Sequence, residues 1–211
     1  MKLYYAPGAC SLASHIVAEE EELPLELERV DLKTHRTERG VDFYSINPKG
    51  YVPTLEFDGG EILTENVAIL PCLADLVPVA ELAPPAETME RLRLMEWLGY
   101  LSAELHHAFG PFFHGNDENR KTEAREIIHR RLSYIGDRIA GHDFLMGSQF
   151  TVADAYLFVM LRWCDMAGID LGQFSVLDRY RIRIAARSSV QAAMKAEGLE
   201  TEKRDPMRRR A

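Results

Sequence analysis

The chain has 211 residues, a formal net charge of −8, 46% apolar residues and 27% charged residues. This balance is typical of globular proteins, and the length suits one large domain or two small ones. The acidic charge argues against a nucleic-acid binder, because such proteins usually present a basic face. The one basic cluster, at residues 203–210, is interpreted as a solvated tail.

The cysteine pattern and the hydropathy indicate a reducing compartment. Cys10, Cys72 and Cys164 are odd in number and far apart, which fits neither a disulfide framework nor a set of zinc ligands. No apolar run approaches the ~20 residues that a membrane span needs, and residues 1–8 do not resemble a secretory leader. We therefore expect a cytoplasmic protein without a bound metal and without a membrane partner.

The first third of the chain alternates short strands with helices. The predicted elements are a strand at 2–5, a helix at 11–22, a strand at 25–31, a weak helix at 37–46, hairpin strands at 54–57 and 61–63, and a helix at 65–77. Ser11 is a good N-cap for the first helix, since serine side chains accept hydrogen bonds from free N–H groups there. Strands that alternate with helices predict an α/β sheet with a right-handed crossover.

The segment at 78–86 (PVAELAPPA) is extended, and its two consecutive prolines cannot continue a helix. A domain boundary is therefore predicted here, with an α/β domain at 1–78 and a second domain at 87–211. The second domain is predicted to be all-helical, because apolar residues recur at helical spacing. One such stripe consists of Leu94, Trp97, Leu101 and Leu105.

Two polar patterns stand out in the second domain. Thr151 and Asp154 form a variant of the capping box, which predicts the start of a buried helix without a catalytic role. His106 and His107 are adjacent, and adjacent helix residues point apart, so a metal site from the pair is not expected. Two surface histidines are the alternative to a functional role for this pair.

Cys10 is the strongest candidate for chemistry. It follows a strand and a tight turn and immediately precedes the predicted helix at 11–22. A helix N-terminus offers free N–H groups and about half a positive charge, which favours a thiolate on the cysteine, with a lowered pKa, or on a bound thiol. The alternative is a small, buried apolar cysteine. Ala13 stands three positions later, so a dithiol redox cycle within this site is not expected.

Two other segments have features of a binding site. Pro53 is either a trans turn residue or a cis proline, and an exposed backbone at Val52 would pair with an extended peptide. A helix that begins near Glu65 and Asn66 would direct its first N–H groups at an anion such as a carboxylate. Glu65 would in turn accept a hydrogen bond from a ligand ammonium. The alternative for Glu65 is an ordinary acidic first turn.

These features together resemble the bacterial beta-class, or cysteine-type, glutathione transferases. The segments that carry the resemblance are MKLYYAPGACS at 1–11, INPKGYVPT at 46–54, ILTE at 62–65 and FTVADAYL at 150–157. They span nearly the whole chain and occur in the order of that class. The resemblance implies a thioredoxin-like N-terminal domain, an all-α C-terminal domain and a homodimer. It also implies glutathione as co-substrate and a small hydrophobic electrophile as second substrate.

The resemblance also implies roles for individual residues. The implied catalytic residues are Cys10, which would lie at the glutathione sulfur, Ser11 and His106. The implied glutathione-binding residues are Tyr5, His35, Val52, Pro53, Glu65 and Asn66, with Pro53 in the cis form. The implied second-substrate pocket contains Phe109, Phe113 and Trp163, and no metal is implied.

Four positions depart from the pattern of that class. His35 stands where Lys is common, so a contact to the glycyl carboxylate of glutathione is expected to be weaker or pH-dependent. Asn66 replaces Ser or Gly, and Gly99 replaces an Asn that would reach across the dimer. Pro71 lies inside the predicted helix at 65–77, where it removes a hydrogen bond and is expected to kink the helix.

The leading hypothesis is an enzyme that lowers the pKa of the glutathione thiol and transfers glutathione to hydrophobic electrophiles in detoxification. Monothiol exchange through Cys10, or a peroxidase side activity, is the competing chemistry. Because a cysteine in disulfide contact blocks conjugation until it is reduced, weak conjugation and real exchange are expected. The alternative is a non-catalytic binding module of the same fold. The intact Cys10, Val52-Pro53 and Glu65 argue against that alternative, and a glutathione-affinity column would separate the two.

Overall fold

A five-stranded sheet forms the first part of the chain. The computed structural model describes residues 1–115 and 117–199, so the basic cluster at 203–210 lies outside the described residues. The strands are β1 (Lys2–Tyr5), β2 (Glu26–Asp31), β3 (Arg36–Thr37), β4 (Thr54–Glu56) and β5 (Ile62–Thr64). Their order across the sheet is β3-β2-β1-β4-β5, with β1 parallel to β2 and antiparallel to β4.

Helix α1 (Ser11–Glu20) connects the two parallel strands, and α2 (Asn66–Leu76) follows the hairpin of β4 and β5. In the central pair, Leu3 of β1 lies opposite Leu55 of β4, and both side chains are fully buried. A one-residue shift in this register would turn these leucines to the other face of the sheet. The predicted α/β arrangement of the first part is therefore confirmed.

The predicted weak helix at 37–46 is wrong. Strand β3 and a single 3-10 turn, Phe43–Ser45, occupy this segment instead. Gly40 has a φ of +81°, outside the α-helical region. The carboxylate of Asp42 accepts a hydrogen bond from Tyr44 N at 3.1 Å, which favours a short turn over a continuing helix.

The predicted N-cap of α1 is also wrong by one residue. Cys10 is the N-cap and makes no side-chain capping bond, while Ser11 is the first helical residue. The hydroxyl of Ser11 is buried and bonds the backbone of Ala6, accepting from its N–H at 3.2 Å and donating to its carbonyl at 3.3 Å. Ser11 therefore fixes the turn between β1 and α1.

The described elements after residue 88 are helical, which confirms the all-α second part. They are α3 (Met89–Tyr100), a π-helical segment (Leu101–His106), α4 (Gly110–His114), α5 (Glu118–Ile139), α6 (Val152–Ala167), a 3-10 turn (Leu171–Gln173), α7 (Ser175–Ala185) and α8 (Ser188–Ala196). The π-helical segment had no signal in the sequence analysis. Across residues 1–115 and 117–199, no helix is both long enough and apolar enough to pass through a lipid bilayer.

One hydrophobic core runs through both parts of the chain. It joins Ile16 of α1 and Leu73 of α2 to Leu98 of α3 and Leu157 of α6. Every residue from 152 to 161 is buried, because α6 packs against both α1 and α3. The division at 78–86 remains a prediction about chain organisation, since the core is continuous across it.

The predicted capping box at the start of α6 is confirmed by its acidic half. Thr151 N donates to Oδ2 of Asp154 at 2.8 Å. The buried Asp154 carboxylate also accepts from Leu145 N at 2.7 Å and from the Tyr180 hydroxyl at 2.6 Å. These bonds satisfy a fully buried carboxylate and attach the 145–151 loop and α7 to the central helix.

Glu21, directly after α1, is a buried carboxylate without a partner. Its side-chain oxygens have no hydrogen-bond donor among the described residues, and 7% of the residue is exposed. Burial, and then the negative charge of Asp75, raise the pKa of Glu21 to about 7. The folded state therefore binds a proton that the unfolded state has already released between pH 4.5 and pH 7.

We predict that Glu21 makes the protein less stable as pH rises through this window. Its protonated form fits the fold, so its contribution is most favourable below pH 4.5 and is lost as pH approaches 7. Glu21→Gln should raise the free energy of unfolding at pH 8 by on the order of 1 to 2 kcal/mol and leave it nearly unchanged at pH 4.5. Urea unfolding at several pH values measures this. The matched control is Glu22→Gln at the exposed neighbouring position, and an equal effect of both substitutions would contradict the prediction.

Candidate active site

Cys10 lies at the junction of the turn after β1 and the start of α1. Its thiol donates to the carbonyl of Val52 at 3.2 Å, and the residue is half-buried. Burial raises the pKa of the Cys10 thiol to about 12, and the negative charge of Glu65 acts in the same direction. The backbone N–H groups of Cys10 and Ser11 oppose this shift but do not outweigh it.

The expectation of a lowered pKa at Cys10 is therefore wrong for the ligand-free protein. A thiol that donates to a carbonyl is held in its protonated form, and desolvation penalises the charged form further. The helix N-terminus is present as expected, yet the stabilisation that its N–H groups give to a thiolate is smaller than the cost of burying that charge. In this geometry the Cys10 thiol acts as a hydrogen-bond donor to Val52 O.

The loop before β4 supplies the carbonyl that faces Cys10. The Val52–Pro53 peptide bond is cis, which confirms that prediction. Asn47 braces this loop, because its Nδ2 donates to Tyr51 O at 2.8 Å and to Thr54 Oγ1 at 3.0 Å. The backbone of Val52 is thus fixed beside the start of α1.

Glu65 is the N-cap of α2 and has a φ of +75°, which is unusual for a residue with a side chain. Its carboxylate makes no capping bond and instead pairs with Lys49 Nζ at 2.8 Å. Lys49 also donates to Thr64 Oγ1 at 2.9 Å. Both members of the ion pair are at least half exposed, so Glu65 presents an accessible carboxylate that already holds an ammonium group.

Asn66 ties the start of α2 to the start of α1. Its Nδ2 donates to the carbonyl of Cys10 at 2.9 Å, and its Oδ1 accepts from Ser14 Oγ at 2.9 Å. The side chain is buried and engaged within the protein. The group that Asn66 can still offer to a ligand is its backbone N–H in the first turn of α2.

His106 ends the π-helical segment and lies in a cluster of aromatic side chains. Its Nδ1 is 2.7 Å from the hydroxyl of Tyr156 on α6, and its ring centroid is 4.9 Å from that of Trp163. Burial, followed by the charge of His107, lowers the pKa of His106 to about 4. The imidazole is therefore neutral at physiological pH, and a protonated His106 opposite the sulfur is not supported.

The three residues predicted for a second-substrate pocket do lie together. The ring centroid of Trp163 is 5.5 Å from that of Phe109 and 4.9 Å from that of Phe113. Phe109 is completely buried, whereas 41% of Phe113 is exposed. Phe113 can offer surface to a ligand, while Phe109 supports Trp163 from within the core.

Two bonds from the second part of the chain hold the turn that carries Cys10. Trp163 Nε1 donates to the carbonyl of Gly8 at 2.9 Å, and Gly8 N donates to Glu197 Oε2 at 2.8 Å. The other oxygen of Glu197 is 3.0 Å from Nδ1 of the buried His15 on α1. These contacts fix the backbone two residues before Cys10.

Tyr5 and His35 lie at the edges of this arrangement. Tyr5 is buried and packs on His15, with ring centroids 6.2 Å apart, which supports a packing role. His35 has a φ of +52° and stacks on Tyr44 at 4.5 Å. Its Nδ1 is buried without a partner among the described residues. The role of His35 toward a glycyl carboxylate remains a prediction.

A separate recess of about 410 Å³ lies between α4 and α5. His107, Pro111 and Arg120 are among its lining residues, and none of the predicted site residues line it. Within residues 1–115 and 117–199, no cluster of three or more His, Cys, Asp or Glu side chains is arranged to hold a metal ion.

Sequence reasoning missed Tyr156, Lys49 and Glu197. Tyr156 carries a hydroxyl group within an otherwise apolar run. Because a buried tyrosine hydroxyl usually has a hydrogen-bond partner, this residue was the one signal that the sequence offered. Lys49 sits inside a segment read for its turn formers, and Glu197 is distant in sequence from every site residue. Neither of these two had a local signal.

Comparison with known proteins places this geometry in a family. The family model described as glutathione S-transferase, N-terminal domain, matches residues 8–76, and the corresponding C-terminal domain matches residues 118–195. The chain is 42% identical over 201 residues to glutathione S-transferase GstA of Escherichia coli O157:H7, covering 95% of this chain and 100% of that protein.

Two solved structures are similar over nearly the same span. The bacterial beta-class glutathione S-transferase of Sphingomonas chungbukensis is 46% identical with a TM-score of 0.93, over 95% of this chain and 100% of that one. A sphingomonad glutathione S-transferase complexed with glutathione is 45% identical with a TM-score of 0.90, over the same shares of the two chains.

We predict that Cys10 reacts slowly at neutral pH in the ligand-free protein. The thiolate is the reactive form, so the rate of modification should rise about tenfold per pH unit from pH 7 to pH 9 without a plateau. The measurement is the pH dependence of reaction with a chromogenic disulfide in a Cys72→Ala, Cys164→Ala background. Adding Cys10→Ala to that background should abolish the reaction. A plateau below pH 8 would show that the thiol pKa is lowered after all.

Proposed function

Because this chain belongs to the glutathione S-transferase family, we propose that it binds glutathione beside Cys10 and activates the glutathione thiol for transfer. The observation that carries this proposal is that the first turns of two helices are held side by side. The first turns of α1 and α2 are joined by the bond from Asn66 to the Cys10 carbonyl. Two adjacent helix N-termini suit an anionic ligand, because each offers free N–H groups and a partial positive charge.

Each end of glutathione has a complementary group beside these helix starts. The γ-glutamyl ammonium would take the place of Lys49 on the Glu65 carboxylate, and the adjacent carboxylate would bind the N–H groups that begin α2. The cysteinyl backbone would pair with Val52, as in strand addition. The sphingomonad relative was solved in complex with glutathione, which supports glutathione as the ligand. His35 and Tyr5 would complete the site around the glycyl end and the turn.

We assign the glutathione sulfur to the start of α1. There the protonated Cys10 and a neutral His106 act as hydrogen-bond donors to a thiolate, together with the helix N-terminus. Ser11 contributes by holding the turn through Ala6 rather than by touching the sulfur. Neutral donors fixed in advance stabilise a developing anion without the cost of burying a charge of their own.

The raised pKa of Cys10 changes the expected balance of reactions. In conjugation, the glutathione thiolate attacks an electrophilic carbon, and Cys10 keeps its proton. In exchange, Cys10 must lose its proton and attack the glutathione sulfur of a mixed disulfide, which releases the other thiolate and leaves a Cys10–glutathione disulfide. A second glutathione thiolate then attacks that disulfide, which frees Cys10 and releases oxidised glutathione. We therefore propose that conjugation predominates at neutral pH and that exchange, or a peroxidase side activity, increases as pH rises.

The second substrate would be a small hydrophobic electrophile held near Phe113 and Trp163. Residues 1–78 would then supply the glutathione site, and residues 87–211 would supply this pocket. A role in detoxification within the cytoplasm is consistent with this chemistry and with the reduced state of three widely spaced cysteines. A bare binding module would not need a sulfur site, and failure of the protein to bind a glutathione column would favour it.

We also propose that the chain forms a homodimer through α3. Met89, Leu92 and Met95 recur every three residues on one face of this helix and are 62%, 60% and 39% exposed. The exposed side chains of Leu76 and Val79 lie in and after α2, which packs against α3. A continuous apolar surface of this kind marks an interaction site in a globular protein.

We predict that Leu92→Glu converts the dimer to a monomer at micromolar concentration. A carboxylate in the centre of an apolar interface loses its hydration without gaining a partner. Sedimentation velocity of parent and variant measures the change. Leu32→Glu, at an exposed leucine in the turn between β2 and β3, is the control and should leave the mass unchanged. A Leu92→Glu variant that sediments like the parent would remove α3 from the interface.

We predict that Glu65→Gln weakens glutathione binding by about tenfold or more, because a charge-assisted bond to the ligand ammonium is replaced by a neutral one. Isothermal titration calorimetry with reduced glutathione measures this, and thermal unfolding checks that the fold is kept. Glu61→Gln, at an exposed glutamate preceding β5, should bind like the parent. Equal affinities for Glu65→Gln and the parent would remove Glu65 from the glutathione site.

A further inference from the structure

Tyr156 lies at the centre of the candidate active site, although its segment was predicted only to build the core. It is on α6 and is 1% exposed. Its hydroxyl is 2.7 Å from Nδ1 of His106. Burial raises its pKa above the ordinary range, with Cys10 contributing in the same direction, so Tyr156 keeps its proton at neutral pH.

His106 has one N–H group in its neutral form, and the position of that proton decides what the ring can do. If Nδ1 carries the proton, the N–H is spent on Tyr156 and Nε2 is only an acceptor. If Nε2 carries the proton, His106 can donate to a second group. The hydrogen bond at Nδ1 selects between these two tautomers.

The relative acidity of the two partners favours the second arrangement. A phenol hydroxyl is a much stronger acid than the N–H of a neutral imidazole, and the unprotonated nitrogen of that ring is a good hydrogen-bond acceptor. The hydroxyl proton of Tyr156 is therefore directed at Nδ1 of His106.

We infer that Tyr156 is a positioning residue that fixes His106 in the Nε2–H tautomer, so that Nε2 is the donor available to a substrate atom. This inference rests on the proposed function only in naming the glutathione sulfur as that atom. The charged or titratable groups that act on the pair are Glu65 and Cys10 from the first part of the chain and His107 beside the ring. None of them is placed to accept from Nδ1 in place of the Tyr156 bond.

Both members of the pair come from the helical part of the chain. Tyr156 lies on α6, and His106 ends the π-helical segment. A π-helical turn changes the direction of the residues that follow it, and such turns are frequent at functional sites. Here the turn ends at His106 and coincides with the bond to Tyr156.

The test is the protonation state of each ring nitrogen of His106 in the full-length protein labelled with ¹⁵N-histidine. Long-range ¹H–¹⁵N correlation spectra distinguish the two neutral tautomers, and His106→Gln assigns the signal among the seven histidines. The parent is expected to show the Nε2–H tautomer. Tyr156→Phe should give a mixture or the Nδ1–H form, with kcat for conjugation to an aryl halide reduced about tenfold and the KM for glutathione changed less than about twofold.

Tyr180→Phe is the matched control, because Tyr180 is also fully buried and bonded through its hydroxyl, but to Asp154 on the far side of the core. It should lower thermal stability and leave the His106 tautomer and kcat unchanged. An Nδ1–H tautomer in the parent overturns the inference, even if Tyr156→Phe does not fold. An unchanged tautomer in Tyr156→Phe also overturns it. A parent that fails to bind glutathione refutes the proposed function instead, while the spectra still decide the role of Tyr156.

Discussion

The bond from the Asn66 side chain to the Cys10 carbonyl is the contact on which the site depends. It joins the first turns of α1 and α2, and the same amide accepts from Ser14 one turn further along α1. Without the Asn66 side chain, neither of these two bonds between the helix starts would form. With these bonds in place, the first turns of the two helices are held side by side, so the cost of ordering them is met during folding rather than on binding. The Asn66 side chain, which the sequence suggested as a ligand contact, therefore positions the helix starts instead.

Residues from the second part of the chain hold the turn before Cys10 in place. The turn before Cys10 is held at Gly8 by Trp163 on its carbonyl and by Glu197 on its N–H. Since the core is continuous from α1 to α6, these bonds rest on a rigid base. A turn carrying glycine is otherwise free to adopt several conformations. The helical part of the chain therefore holds the turn before Cys10, beside which we propose that glutathione binds.

The fold and the site components were readable from the sequence, but the electrostatics were not. Strand and helix periodicity located β1, α1 and α2, and short motifs indicated Val52-Pro53 and Glu65. The region at 37–46 was misread, because its turn is set by Gly40 and Asp42 rather than by an apolar stripe. The pKa of Cys10 was misjudged for a similar reason: the helix N-terminus is visible in sequence, whereas the burial that outweighs it comes from tertiary packing. Tyr156 was missed because its partner lies 50 residues away.

Cys10, Tyr156 and His106 share one property: burial shifts the pKa of each group in the direction that disfavours its charged form, and all three are neutral at physiological pH. A buried thiolate or imidazolium would have to be stabilised in every molecule, whether or not a ligand is present. Neutral groups avoid that cost, and the S–H of Cys10 and the Nε2–H of His106 are the donors that we propose for an entering anion, while the O–H of Tyr156 is used to orient His106. The negative charge then arrives with the ligand thiol. We propose that the helix N-termini and the fixed donors are already directed at the position that this thiol takes. Selectivity for the thiolate follows from this order of events, because the site has no strong interaction with the sulfur until that sulfur is ionised.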